Sequence, residues 1–244
     1  MRRSRLRPAP VGVFLGVVSL LLAGCGMLPG STITLPADTC PVVQVPTAAL
    51  APSPTPTPTC DIDPSVTAKQ VVLVQSSGSA ATIRACQRDD DGTYTVAFGP
   101  YAGHVGENGV SADRTEGDKT TPAGVFPLLG GFGLHSNPGL RIGTWFVVDK
   151  NDVWVDDPDS PLYNTHQRLP ARGRWLSAEN LDNPDAYEYA QIIGFNEQRT
   201  PGLGSAIFLH VDTGEPTVGC VSLAKPSLLT ILRWESAGAV IDIE

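Results

Sequence analysis

The chain has 244 residues and a formal net charge of −8, with 25 acidic residues against 17 Lys and Arg, and it carries 25 Gly and 22 Pro. Such an acidic balance excludes a surface built to hold nucleic acid. The four histidines are scattered, without C-x-x-C or H-x-x-x-H spacing, so no metal site and no cofactor are expected.

In chain order, the first residues, MRRSRLR, supply four arginines and no acid, and an apolar run of thirteen residues follows at 11–23. A membrane span needs about 20 apolar residues; this run has the length of a signal-peptide core. It ends in Leu-Ala-Gly-Cys, which resembles the bacterial lipobox, with cleavage before Cys25 and lipid on its sulfur. Residues 1–24 are therefore read as a lipoprotein signal peptide. Its loss takes the four arginines with it, leaving 13 basic residues against 25 acidic ones and a formal charge of −12. Residues 25–65 read as a lipidated cysteine and a tether, because the Pro/Thr alternation at 47–58 (TAALAPSPTPTP) favours extended polyproline-like chain and buries no core.

Residues 66–244 read as one mainly β domain. Strands are expected at 70–74 (QVVLV), 81–86 and 93–98, the last two joined as a hairpin by the Asp-Asp-Asp-Gly turn at 89–92. Further strands are expected at 144–148, 152–155, 188–195, 205–211 and 240–243. A helix is expected at 225–235, from Leu228, Leu229 and Leu232 at helical spacing and Pro226 near its start. Residues 106–124 carry too many turn formers for a strand and read as a structured loop bordering the site, with Asn108, Arg114, Glu116, Asp118 and Thr121 unassigned. The acidic stretch around Asp156, Asp157 and Asp159, with Tyr163 and Asn164 beyond it, is either a structural turn or a loop that caps a cleft.

The chemistry concentrates at 205–223, SAIFLHVDTGEPTVGCVSL. Alternation through Ile207, Leu209 and Val211 reads as a strand ending near His210; turn residues follow, and Cys220 opens a second strand folded back on the first. That arrangement is expected to bring an imidazole within hydrogen-bond reach of a thiol. A free thiol titrates near 8.5, roughly, and an imidazole that takes its proton lowers that value by forming a thiolate–imidazolium pair. Gly219 lacks a Cβ, so a substrate carbonyl can approach, with the amides of Gly219 and Cys220 facing the oxyanion. Cys220 is thus the expected nucleophile and His210 its base; the alternative for Cys220 is a core thiol or half of a disulfide. Of the remaining cysteines, pairing of Cys60 with Cys86 is favoured, with Cys40–Cys60 as the alternative.

The segment HVDTGEPTVGCVSL resembles the signature of the L,D-transpeptidase (YkuD-like) catalytic domain family. Residues 106–128 (GENGVSADRTEGDKTTPAGVFPL) resemble an upstream motif of that family, and residues 154–168 (WVDDPDSPLYNTHQR) a stretch of its actinobacterial branch. Three motifs in order cover nearly all of 68–244. The departures are Val218, Ser222 and Val211, where many members carry His, Arg or Asn, and Gly or Ser.

The resemblance implies a β-sandwich of the L,D-transpeptidase type with one or two short helices. It implies an acyltransferase forming 3→3 peptidoglycan cross-links through a Cys220 thioester, with His210 as base. Thr217, Ser222, Tyr163 and Asn164 are the candidate substrate-binding residues. The expected partners are peptidoglycan stem peptides and, through the lipid anchor, the outer face of the cytoplasmic membrane; no nucleic acid partner and a monomeric state are expected. Two other readings remain open here: an L,D-carboxypeptidase of the same fold, and a catalytically weak envelope-binding lipoprotein.

Overall fold

A computed structural model describes residues 58–244. The leader, the lipidation site Cys25 and Cys40 lie outside the described residues. The chain forms β1 (Gln70–Ser77), β2 (Ala80–Arg88), β3 (Tyr94–His104), β4 (Val110–Ser111), β5 (Thr121–Pro122), β6 (Gly124–Gly133) and β7 (Trp145–Val147). It continues through β8 (Asp152–Val155), β9 (His166–Arg168), β10 (Ala178–Asn180), β11 (Tyr189–Ile193), β12 (Phe208–Val211), β13 (Val221–Leu223), α1 (Lys225–Trp234) and β14 (Val240–Ile243).

Nine strands form one sheet in the order β11-β12-β13-β3-β2-β1-β14-β6-β7, and β11 also pairs with β6. That last pairing closes the sheet on itself. Among the described residues the architecture is therefore mainly β, as expected, with one helix, and its main sheet is closed and barrel-like; by itself this does not show the β-sandwich that the resemblance implied. Closure removes most of the free edges that such a sheet would otherwise expose. A small sheet β10-β8-β9 and the pair β4-β5 stand apart from it.

The apolar run of β1 has a simple cause. β1 lies inside the sheet, between β2 and β14, and both of its faces are covered. Val72 and Val74 face the main core with Leu228, Ile231 and Leu232 of α1. Val71 and Leu73 face a second cluster built from Ile62, Val66 and Tyr94. A strand buried on both faces loses the polar alternation of a half-exposed one. The helix residues Leu228, Ile231 and Leu232 are fully buried. Each contributes about 1.5–3 kcal/mol of burial, so Leu232→Ala, which also leaves a cavity, costs about 2–5 kcal/mol.

The structure adds to the sequence reading at residues 58–65 and departs from it at β3 and at β12–β13. Residues ahead of 66 also pack on the domain: Cys60 is joined to Cys86 and its amide donates to Tyr94 O at 2.9 Å. The Tyr94 hydroxyl in turn donates to the carbonyls of Val66 and Ala68. β3 runs to His104, past Gly99-Pro100, where register shifts against β2 absorb the irregularity. Finally, β12 and β13 are parallel rather than folded back: Leu209 lies opposite Val221 and His210 opposite Ser222. The segment between them does not make a tight turn. It returns along the start of the site loop, where Thr217 bridges Gly106, so the chain re-enters the sheet in the original direction.

Candidate active site

The parallel register sets the geometry. Residues two apart on a strand share a face, and partners in register share it too. Phe208 and His210 of β12 therefore lie on the same face as Cys220 and Ser222. Cys220 is the free cysteine among the described residues and is buried. It stands in the wall shared by two cavities. One, of about 390 Å³, is also lined by Arg114, Asp156 and Ile207; the other, of about 250 Å³, by His210, Tyr187 and Thr217. Glu179 and Val218 border both.

The thiol does not point its hydrogen at the imidazole. Cys220 Sγ donates to Ala206 O at 3.3 Å and accepts from the Phe208 amide at 3.4 Å. Burial pushes the thiol up to about 12, and the Glu179 carboxylate beside it adds to the rise. Burial also holds the His210 imidazole below its ordinary value, outweighing the hydrogen bond to Val211. The resting pair is thus a neutral thiol and a neutral imidazole, not the expected thiolate–imidazolium pair. The reason is desolvation, which penalises both charged forms and was invisible in the sequence.

His210 is nonetheless set up as a base. Its Nδ1 lies 2.8 Å from Val211 O. A carbonyl only accepts, so Nδ1 carries the hydrogen and Nε2 keeps its lone pair. The Tyr187 ring meets the imidazole edge-to-face at 5.4 Å. The Tyr187 hydroxyl lies beside the thiol and donates to Glu179 Oε1. Burial raises Glu179 to about 7, against the opposing hydrogen bond from Tyr187. Neither Glu179 nor Tyr187 stood out in the sequence. Glu179 is brought in by β10, which pairs it with Trp154 of β8, and short polar strands of this kind carry no period to detect.

Gly219 has contacts that the sequence did not suggest. Its φ is +143°, and a Cβ there would lie 3.0 Å from Arg114 Nη1. A Cβ on Gly204, at φ +125°, would lie 2.7 Å from Arg114 Nε. The two glycines clear room for the Arg114 guanidinium. The Gly219 amide is also committed, donating to Thr217 Oγ1 at 3.1 Å, while the Thr217 hydroxyl donates to Cys220 O at 2.6 Å. Thr217 therefore braces the turn that presents the thiol.

The other candidate binders are engaged within the protein. The buried Ser222 hydroxyl donates to Asp212 Oδ1 at 2.8 Å, and His104 Nδ1 meets the same oxygen at 2.7 Å. Burial works to raise Asp212, but the bonds from His104 and Ser222 outweigh it and hold the carboxyl below its usual range. Tyr163 is buried, donating to Glu116 Oε2 at 2.5 Å and accepting from the Gly204 amide at 2.9 Å. Asn164 Oδ1 accepts from Trp154 Nε1 at 2.8 Å and from the Ala206 amide at 3.2 Å. These residues hold the 204–206 turn in place, and Asn164 also lines a cavity of about 340 Å³. The turn needs holding: Ala206 has φ +54°, a left-handed conformation that costs a residue with a Cβ about 1–2 kcal/mol. Its carbonyl is the one that parks the thiol. Asp157 likewise serves the fold, accepting the Leu176 amide at 2.7 Å.

No family model matches the chain, and no curated protein matches it. Among solved structures it is similar to the crystal structure of the helical cell shape determining protein Pgp2 from Campylobacter jejuni. The identity is 15% and the TM-score 0.37, over 72% of this chain and 47% of that one. The chain thus spans about half the length of that protein, and a superposition this loose carries no argument about activity.

Proposed function

We propose that the chain is a cysteine acyltransferase of the L,D-transpeptidase type, acting on peptidoglycan stem peptides from a lipid anchor at Cys25 on the outer face of the cytoplasmic membrane. The observation that carries the reading is the position of Cys220 in a wall common to two cavities, one of which holds His210. Two substrates that must meet at one sulfur need two approaches to it. The three motif segments in family order support the same reading.

In the proposed reaction, His210 Nε2 takes the thiol proton as Sγ attacks the carbonyl of the third stem residue. Substrate entry displaces the thiol from Ala206 O. The oxyanion takes the Cys220 amide, since that of Gly219 is already donated. The C–N bond to the terminal D-amino acid breaks, its nitrogen receives the proton from His210, and the acyl group remains on sulfur as a thioester. An amine from a second stem then attacks and loses a proton to His210; the C–S bond breaks as the new amide forms, and the sulfur takes that proton back from His210 as the free thiol. Each step conserves atoms and needs no cofactor.

The neutral resting thiol favours one other reading, an envelope-binding lipoprotein that keeps the pocket and does not turn over. Incubating the protein with disaccharide-tetrapeptide separates the two. Dimers lacking one alanine support the transferase, tripeptide monomers alone would replace it by a carboxypeptidase, and unchanged substrate that still binds would establish the binding protein.

A further inference from the structure

A row of polar side chains crosses three strands beside the nucleophile. His210 of β12 lies opposite Ser222 of β13, and Ser222 lies opposite His104 of β3. Partners in register share a face of the sheet, so His210, Ser222 and His104 stand side by side on the face that carries Cys220. Asp212 joins them. Its amide donates to Leu223 O at 2.9 Å and continues the ladder past the end of β12. Residues two apart on an extended chain share a face about 6.5 Å apart, which places Asp212 next to His210. Its Oδ1 accepts from Ser222 Oγ at 2.8 Å and from His104 Nδ1 at 2.7 Å.

This arrangement keeps a charge in place. Ser222 is fully buried and Asp212 half-buried. Two donors on one oxygen fix the carboxylate and favour its ionised form. None of the three residues enters the reaction steps above, yet His210 needs what they provide. The imidazole is buried and its Nδ1 is committed to Val211 O, a neutral group. An imidazolium formed there is desolvated, and a buried charge without a counter-charge is costly. The titratable groups that line the cavity with His210 are Cys220, Tyr187, Glu179 and Glu215. Glu179 accepts from Tyr187, is raised to about 7 and bears on the sulfur. Glu215 is exposed, so water screens it. Asp212 stays ionised through the neutral range. Burial lowers His210, and the Asp212 charge works against that fall.

We infer that Asp212 is a positioning residue for the base: its carboxylate, held by Ser222 and His104, stabilises the His210 imidazolium from the adjoining place on the same face. When Nε2 takes the thiol proton, the charge formed on the ring meets this carboxylate. No proton passes to Asp212, because Nδ1 keeps its hydrogen on Val211 O. When Nε2 gives the proton to the leaving nitrogen, the ring is neutral again. The inference rests on the proposed reading for the reaction in which the imidazolium forms; the coupling of Asp212 to His210 is a property of the fold with or without turnover.

The test uses the full chain in detergent with histidine labelled at Cε1, and His210 assigned by the signal lost in His210→Gln. NMR titration from pH 4 to 9 reads the His210 midpoint, and turnover of disaccharide-tetrapeptide is measured beside it. Asp212→Asn keeps an oxygen for Ser222 and removes the charge. It should move the His210 midpoint down and lower kcat about 10- to 100-fold, with KM within about twofold. Ser222→Ala, which loosens the carboxylate, should shift both in the same direction by less, and it decides the matter if Asp212→Asn does not fold. An unmoved midpoint in the folded variant overturns the inference, as does a His210 that stays neutral across the whole range in the unmodified chain. A fall in melting temperature without a midpoint shift would make Asp212 a structural residue only. Turnover with an unmoved midpoint overturns the inference and leaves the acyltransferase standing. A shifted midpoint on a chain that turns over no tetrapeptide keeps the coupling and sinks the acyltransferase.

Discussion

Two glutamates, Glu235 fully buried and Glu179 half-buried, differ in what surrounds them. Both are driven up by desolvation, Glu179 to about 7 and Glu235 to about 8. Glu235 closes the end of α1 and is fully buried; its Oε2 accepts from Gln191 Nε2 at 2.6 Å. The remaining oxygens, Glu235 Oε1 and Gln191 Oε1, have no partner. A protonated Glu235 answers both, because an acid and an amide pair reciprocally through two hydrogen bonds. That carboxyl lines neither of the cavities at Cys220. Glu179 instead shares its proton-rich surroundings with Tyr187 and Cys220 and borders both cavities. The same burial makes a structural joint in one place and tunes a thiol in the other. What separates them is access to a reacting atom, not the size of the pKa shift.

Variants at the two regions should therefore fail in different ways. The largest effect is expected from Cys220→Ala, which should lower cross-linking by roughly a thousandfold or more while leaving the melting temperature within a few degrees. Loss of fold instead of activity would place Cys220 with the structural group. At the other region, Glu235→Ala strands the Gln191 amide in an apolar setting. It should cost about 1–3 kcal/mol in denaturant unfolding, with kcat unchanged at temperatures where the protein remains folded. Reducing the Cys60–Cys86 bridge, which spans 26 residues, is expected to cost about 3–4 kcal/mol on the chain-entropy account. That loss should show in unfolding and not in the thiol's reactivity.

The pH dependence sharpens the comparison further. Between its ordinary value of 4.5 and its folded value of about 8, Glu235 holds a proton in the native state that it lacks in the unfolded chain. Its contribution is full below 4.5 and is lost as pH rises through that window, at up to about 1.4 kcal/mol per unit. Glu235→Gln keeps the reciprocal pairing without the proton, so it should flatten this decline. Parallel unfolding curves for the two proteins from pH 5 to 8 would contradict the pairing. The smallest effect is expected at the site: Glu179→Gln removes a carboxylate beside the sulfur, and Cys220 should alkylate a few-fold faster at pH 9.

The sequence reading succeeded where a periodic signal or a local turn decides the structure. Leu228, Leu229 and Leu232 with Pro226 marked a helix that runs Lys225–Trp234. The Asp-rich turn before Gly92 marked the β2–β3 hairpin. β6 was missed because GVFPLLGGFG reads as punctuation; its glycines lie where neighbouring strands crowd the backbone, as at Gly131, where a Cβ would lie 2.5 Å from Ala190 O. At the site, Cys220 and His210 were legible as a pair from spacing, yet their protonation was not, because it depends on burial by chain segments remote in sequence. Arg114 was visible as a residue of a motif without a role. Its seat against Gly204 and Gly219 is set by the folded backbone, which only three dimensions reveal.

The most direct measurement of the central claim is mass spectrometry of purified disaccharide-tetrapeptide incubated with the full chain, beside the same reaction with Cys220→Ala. The account predicts a dimer one alanine short of two monomers, an acyl adduct on Cys220 trapped at early times, and neither with the variant. Substrate that binds and stays unchanged, with no adduct on Cys220, would contradict it.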